Sequence, residues 1–205
     1  LRKEHKRHIR RTVDLGFLPE SEAWTMFEGS SGWEMGQGGK VSVGPSQKAA
    51  AQVGVADEGV FLKNLISKDA NVRYWGAIGL CARKEKPSAK AMKKLRASLK
   101  DSSAAVRIEA ANALAAHGDI KAALPALVKD LAHENLIIVT HAARTIELLG
   151  KKAASVAPQM KKALERAEKI RPPDLSPVIV LPGDKDLAMF VAFSCQAFLE
   201  RLGRK

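Results

Sequence analysis

The stretch Asn71-Val72-Arg73-Tyr74-Trp75-Gly76-Ala77-Ile78-Gly79-Leu80 decides the fold. Its frame is a β-branched residue, Val72, then the small pair Gly76-Ala77, then Leu80. Spacings of i, i+4, i+5 and i+8 trace one face of an α-helix. The frame returns 34 residues later as Val106, Ala110-Ala111 and Leu114, and 32 residues after that as Ile138, Ala142-Ala143 and Ile146. A fourth copy, Val191, Cys195-Gln196 and Leu199, follows after 53 residues, so about 20 residues are inserted ahead of it. A period of this length marks repeats that bury their apolar faces by stacking.

Each framed helix, B, follows another amphipathic stretch, A. These run over 57–67 (Val60, Phe61, Leu65, Ile66), 88–100 (Met92, Leu95, Leu99), 120–132 (Leu124, Leu127, Leu131) and 152–168 (Val156, Met160, Leu164). The breaks between partners are short and polar: Lys68-Asp69-Ala70-Asn71, Asp101-Ser102-Ser103 and His133-Glu134-Asn135. Asp and Asn there predict caps on the free N–H groups of the B helices. Gly118, Gly150 and Gly203 predict their C-terminal ends. The expected fold class is all-α, an α-solenoid of about four helix pairs, with 46–205 as the repeat domain.

Two regions depart from the pattern. Between A4 and B4, Arg171-Pro172-Pro173-Asp174-Leu175-Ser176-Pro177 through Pro182-Gly183-Asp184 excludes a helix. It predicts a long loop folded onto the solenoid edge through Val178 to Leu181. The first residues open with a basic helix over 1–13, followed by a glycine-rich span holding Gly29, Gly32, Gly36, Gly38, Gly39 and Gly44. That span predicts an irregular arm over 1–45, with one more helix at 46–54.

Composition agrees with stacked helices. Of 205 residues 46% are apolar but only 5% aromatic, and alanine is abundant from 49 to 165, which favours close helix approach over a sheet. No window approaches 18 apolar residues, so no membrane span is expected. The opening Leu1-Arg2-Lys3 reads as a piece of a longer protein. Cys81 and Cys195 fall on predicted core positions, as buried thiols rather than a disulfide or metal pair. The formal net charge of +12 suits polyanions: nucleic acid, acidic membranes or sulfated polysaccharide.

Two resemblances rest on particular residues. Asp69…Val72-Arg73 and Asp101…Val106-Arg107, each leading into a small-residue helix, resemble HEAT repeats of the phycobilisome-lyase type over about 57–203. Arg11-Thr12-Val13-Asp14-Leu15-Gly16-Phe17-Leu18-Pro19-Glu20 resembles the end of the catalytic region in bacterial sulfatases that carry HEAT-repeat tails. There a helix is followed by Thr-x-Asp-Leu-Gly-x-Leu-Pro-Glu. Asn71 to Leu80 is similar to the Val-Arg-Tyr-Trp repeat of those tails.

The resemblance implies the C-terminal extension of a sulfatase, with the parent's catalytic domain as its partner and a periplasmic or extracellular location. Such enzymes hydrolyse sulfate esters or sulfamates with a formylglycine made from a Cys/Ser-x-Pro/Ala-x-Arg motif and a calcium ion. Cys81-Ala82-Arg83-Lys84-Glu85 and Cys195-Gln196-Ala197-Phe198-Leu199 both lack that motif. No catalytic residue carries over, and no cofactor is expected in this chain. Calcium belongs to the catalytic domain that the resemblance implies.

Binding candidates come from helical phase. With Ala110, Ala111 and Leu114 inward, Glu109 and Asn112 face out, and the matching positions elsewhere are Trp75 and Ile78, His141 and Arg144, Ser194 and Ala197. One turn away lie Ile137, Leu148 and Phe190. Trp75, Ile78, Ile137, Leu148 and Phe190 therefore predict an apolar strip on the concave wall, flanked by His141 and Arg144. The arm, the catalytic domain or a partner would cover it. Arg83 to Lys100 holds eight cationic residues against Glu85, and Lys90, Lys93, Lys94 and Arg96 are its candidates for a polyanion such as a sulfated glycan. A solvated face is the plainer reading, and the lack of interleaved aromatics argues against nucleic acid.

Arg73 and Arg107 sit on the packed side of their helices, which predicts a structural ladder to turn aspartates such as Asp69 and Asp101. His5 and His8 have helical ligand spacing but no third ligand nearby. The expected function is a non-catalytic surface for intramolecular docking, substrate access or a sulfated polymer. A stand-alone scaffold gripping a protein in its groove is the alternative.

Overall fold

The structure is a computed structural model and describes residues 2–26, 31–37, 42–171 and 184–203. Among them every regular element is helical. The fold class is all-α, of the α-solenoid type. The chain forms two compact units, Leu1–Ala113 and Leu114–Lys205. The stretch from Val178 to Leu181 lies outside the described residues.

In the first unit, α1 (Arg2–Thr12), α2 (Glu20–Met26), α3 (Gly32–Gln37) and α4 (Gly44–Ala50) precede the first pair, α5 (Glu58–Asn64) and α6 (Ala70–Cys81). Next come α7 (Ala89–Ser98) and α8 (Ala104–Ala116), which continues past the unit boundary. Residues 1–45 are thus not simply irregular. Ser31-Gly32-Trp33-Glu34 is a capping box: the Ser31 hydroxyl accepts the Glu34 N–H, and the Glu34 carboxylate accepts the Ser31 N–H at 3.0 Å. Two free donors are satisfied at once, so a helix starts at Gly32 despite the glycines around it.

Glycine decides how closely α5 and α6 pack. A Cβ at Gly79 would lie 2.1 Å from the Phe61 ring, and one at Gly76 would lie 2.9 Å from the Leu65 nitrogen. Phe61 is only 1% exposed, so the ring fills the space that the missing side chain leaves.

The polar turns are held by arginines. Asp69 caps α6 by accepting the Asn71 N–H at 2.9 Å, and Asp101 accepts the Ser103 N–H at 2.9 Å. Arg73 donates to the Ser67 and Lys68 carbonyls and reaches Asp101 with two hydrogen bonds of 2.7 Å. Arg107 donates to the Asp101 and Ser102 carbonyls. The predicted ladder therefore exists, and Asp101 rather than Asp69 receives the Arg73 fork.

In the second unit, α9 (Ile120–Leu131) and α10 (Leu136–Leu149) form a pair, followed by α11 (Ala157–Ile170) and α12 (Asp184–Gly203). Gly118 (φ 95°) ends α8 in a left-handed turn, with the Asp119 N–H on the Leu114 carbonyl and the Gly118 N–H on that of Ala115. Gly150 (φ 56°) ends α10. Gly203 is the last residue of α12. The expected single A4 helix over 152–168 is divided: a 3-10 turn covers Gly150–Val156, and α11 restarts with Pro158 in its first turn, where the missing N–H costs nothing. The third repeat has Val139 where the first two have Arg73 and Arg107. Its turn carbonyls, His133 and Glu134, are bound instead by Arg166 from α11, at 2.6 and 3.1 Å.

Candidate functional site

In the first unit the outward side of α6 is occupied by the chain's own N-terminal region. Trp75 is half-buried, and its indole N–H donates to the Phe17 carbonyl at 2.8 Å. Phe17 belongs to a 3-10 turn, Leu15–Phe17, opened by Asp14, whose carboxylate accepts the Gly16 N–H at 3.0 Å. Leu18 behind it is buried. From α2, the Glu22 carboxylate accepts the Ser103 hydroxyl at 2.5 Å. At the other side of the turn, Arg10 donates to the Gln47 side chain at 3.2 Å, tying α1 to α4. The Trp75 and Tyr74 rings meet in a T-shaped contact at 5.3 Å, and burial pushes the Tyr74 phenol far above its ordinary pKa. Trp75 thus lies under a turn rather than on open apolar surface, and Ile78 is half-buried.

The approach to the Leu15–Phe17 turn carries strain. Val13, at the end of α1, has φ 48°, a left-handed conformation that a β-branched residue rarely adopts. The Asp14 N–H returns to the Ile9 carbonyl at 3.0 Å and completes the helix stop. A side chain at Gly36 would press on Val13 at 3.2 Å, so the glycine leaves room for it.

In the second unit, Ile137 is 7% exposed and so not on an open strip. Asn135 accepts its N–H at 2.9 Å, and in the first turns of α10, Leu136, Ile137 and Val139 all point inward because both α9 and α12 pack on α10. His141 is half-buried, whereas Arg144, Leu148 and Phe190 are exposed.

Arg144 and Phe190 share a groove of about 470 Å³ between α10 and α12, lined also by Thr140, Glu147, Phe193 and Ser194. Phe190 and Phe193 are each 49% exposed on one side of it. On the other, the buried Glu147 carboxylate accepts a hydrogen bond from Arg144 at 2.6 Å and forms an ion pair with Arg201 at 3.3 Å. Glu147, Phe193 and Arg201 escaped the sequence reading. The spacings Arg144-x-x-Glu147 and Phe190-x-x-Phe193, each one turn of helix, are the signals that could have found them.

The basic candidates Lys90, Lys93, Lys94 and Arg96 are all exposed on α7, while Ala91 and Leu95 point inward. Ahead of them, Arg83 pairs with Glu85 at 3.0 Å. Glu58 reaches across from α5 to cap α7, accepting the Ser88 hydroxyl at 2.5 Å and the Ser88 N–H at 2.8 Å. Those hydrogen bonds hold its carboxyl below the ordinary value.

Neither cysteine is reactive in character. Cys195 is buried, its thiol pushed up to about 12 by burial. Cys81 is half-buried rather than fully in the core, with burial raising it to about 11. Among the described residues no group of three or more His, Cys, Asp or Glu side chains could hold a metal ion, His5 and His8 included. None of the described helices is long and apolar enough to cross a membrane.

No curated protein and no solved structure matches the chain. Residues 60–149, from α5 to the end of α10, match the family model of HEAT repeats, which supports a HEAT-repeat domain over that stretch; HEAT repeats suggest a helical scaffold for protein interaction and are generally non-catalytic.

Proposed function

We propose that this chain is the non-catalytic C-terminal HEAT-repeat region of a sulfatase, and that its first repeats hold the end of the catalytic region in place. The observation that carries the reading is the Trp75 hydrogen bond to Phe17. The residue it grips lies inside Asp14-Leu15-Gly16-Phe17-Leu18-Pro19, the segment that resembles the end of a sulfatase catalytic region. The residue that grips lies inside the Val72-Arg73-Tyr74-Trp75 repeat that resembles the sulfatase tails. Two separate resemblances thus meet in one contact, and just beyond them Glu22 on Ser103 ties α2 to the turn before α8.

A repeat surface that fixes this segment would set how the catalytic domain is carried relative to the repeats. Calcium and formylglycine would belong to that domain, as the resemblance implies. The exposed lysines of α7 offer a sulfated polymer a second, salt-sensitive contact. A periplasmic or extracellular location follows from the same resemblance.

The deciding experiment reads the gene upstream of the Leu1 codon. A Cys/Ser-x-Pro/Ala-x-Arg motif with an Asp-rich metal segment is the expected result. A start codon close by without that motif would overturn the sulfatase reading and leave a stand-alone scaffold. For α7, charge reversal at Lys90 and Lys93 should lower the salt needed to elute the chain from heparin. Unchanged elution would remove the polymer contact.

A further inference from the structure

We infer that the groove between α10 and α12 receives an amphipathic segment of a partner protein, with an apolar side chain on Phe190 and Phe193 and a neighbouring carboxylate on Arg144 and Arg201. This inference is independent of sulfatase parentage and uses only the second unit.

The apolar half comes from two phenylalanines one helical turn apart, each 49% exposed. Side chains of this size left open to water side by side mark contact surface rather than ordinary exposure. The polar half comes from Glu147, whose side chain is 4% exposed, accepts a hydrogen bond from Arg144 and forms an ion pair with Arg201. Two guanidinium groups on one carboxylate leave a net positive charge at the groove. Arg144 and Arg201 remain 55% and 54% exposed, and a guanidinium carries further N–H donors suited to a carboxylate. Glu147 also restrains both arginines before anything binds, which reduces the entropy lost on binding.

Charge and shape select the occupant. A cationic segment would meet two guanidinium groups. A second copy docking this groove on its own twin would set arginine against arginine. A polyanion without apolar side chains would satisfy the charges and leave both rings wet. The groove is walled by two helices and open above them, so it suits a length of chain better than a small ligand, which needs most of its surface enclosed. An acidic segment with apolar residues at helical spacing answers both halves.

The test uses the whole chain and a fluorescein-labelled peptide of roughly 12 residues, with leucines and glutamates at helical spacing. Its counterpart carries glutamine for each glutamate, and fluorescence anisotropy reads binding at low salt. Saturable binding is expected, weakened at least about tenfold by the glutamine peptide and by Phe190→Ser with Phe193→Ser. Amide resonances of Thr140 and Ser194 should shift on titration with the unmodified chain, which needs no variant to fold. No saturation up to about 1 mM peptide overturns the inference. So does equal binding of the glutamine peptide, or a dimer that Phe190→Ser dissolves.

Discussion

The outward faces of α6 and α10 come from the same repeat frame, yet one is filled and the other open. On α6 the position of Trp75 is taken by the chain's own Leu15–Phe17 turn, with a hydrogen bond to seat it. On α10 Arg144, which matches Ile78 of α6, borders a groove whose far wall exposes Phe190 and Phe193. The difference teaches that the frame specifies packing between helices but leaves the outward face free to be assigned. In the first repeat the assignment is made within the chain. In the second unit an acidic pin, Glu147, and two arginines prepare the face without occupying it.

That contrast can be broken by substitution, and the expected effects fall in order. Asp101→Ala should cost most, about 3 kcal/mol in chemical denaturation, because it strands a largely buried Arg73 and also frees the Ser103 N–H in the turn before α8. Gly79→Ala should cost about 2 kcal/mol even after the gain in helix propensity, since the new methyl would enter the Phe61 ring. Pairing it with Phe61→Leu should recover part of the loss, and no recovery would mean the ring is not what the glycine accommodates. Trp75→Phe should cost about 1 kcal/mol and speed chymotryptic cleavage at Phe17, by freeing the turn. Leu148→Ser, at a residue 62% exposed on the open side, should stay within about 0.5 kcal/mol. If it proved costlier than Trp75→Phe, the division into filled and open faces would be mistaken.

Acid should act on the first unit through its carboxylates. Burial raises the Asp101 pKa, but the hydrogen bonds from Arg73 and Ser103 outweigh it and leave it lowered, as Ser88 lowers Glu58. A carboxyl lowered in the folded state stabilises fully above its ordinary pKa near 4, and that contribution is lost as pH falls through the folded value. Melting temperatures should therefore drop below about pH 4, and Asp101→Asn should flatten that part of the profile. An unchanged acid limb in the variant would exclude Asp101 as its source.

The repeats were legible because small-residue spacing and polar turns are local signals that agree with each other. Asp69 and Asn135 cap the helices that the sequence assigns to them, while on α8 Ser103 is the cap and Asp101 holds the Ser103 N–H. The candidate strip was less legible because helical phase gives a direction and not a neighbour. It could not tell that Ile137 points into a helix packed on two sides, or that Trp75 meets a turn 58 residues earlier. Glycine content misled over 29–44, where Ser31 and Glu34 supply donors and acceptors enough to start a helix. The arginine braces were half legible: Arg73 and Arg107 could be placed, but Arg166 replaces them from a different helix and leaves no periodic trace.

Several of these braces point the same way along the chain. Glu58 waits for Ser88, Arg73 for Asp101, and the turn at His133 and Glu134 for Arg166. The first and third repeats are thus finished by residues about 30 positions downstream. During synthesis at about 5–20 residues per second, a repeat would spend about 2–6 s outside the ribosome with its closing partner unmade. Ribosome pausing within that window would hold a half-braced repeat in the cytosol or at the translocation pore, where chaperones would find it.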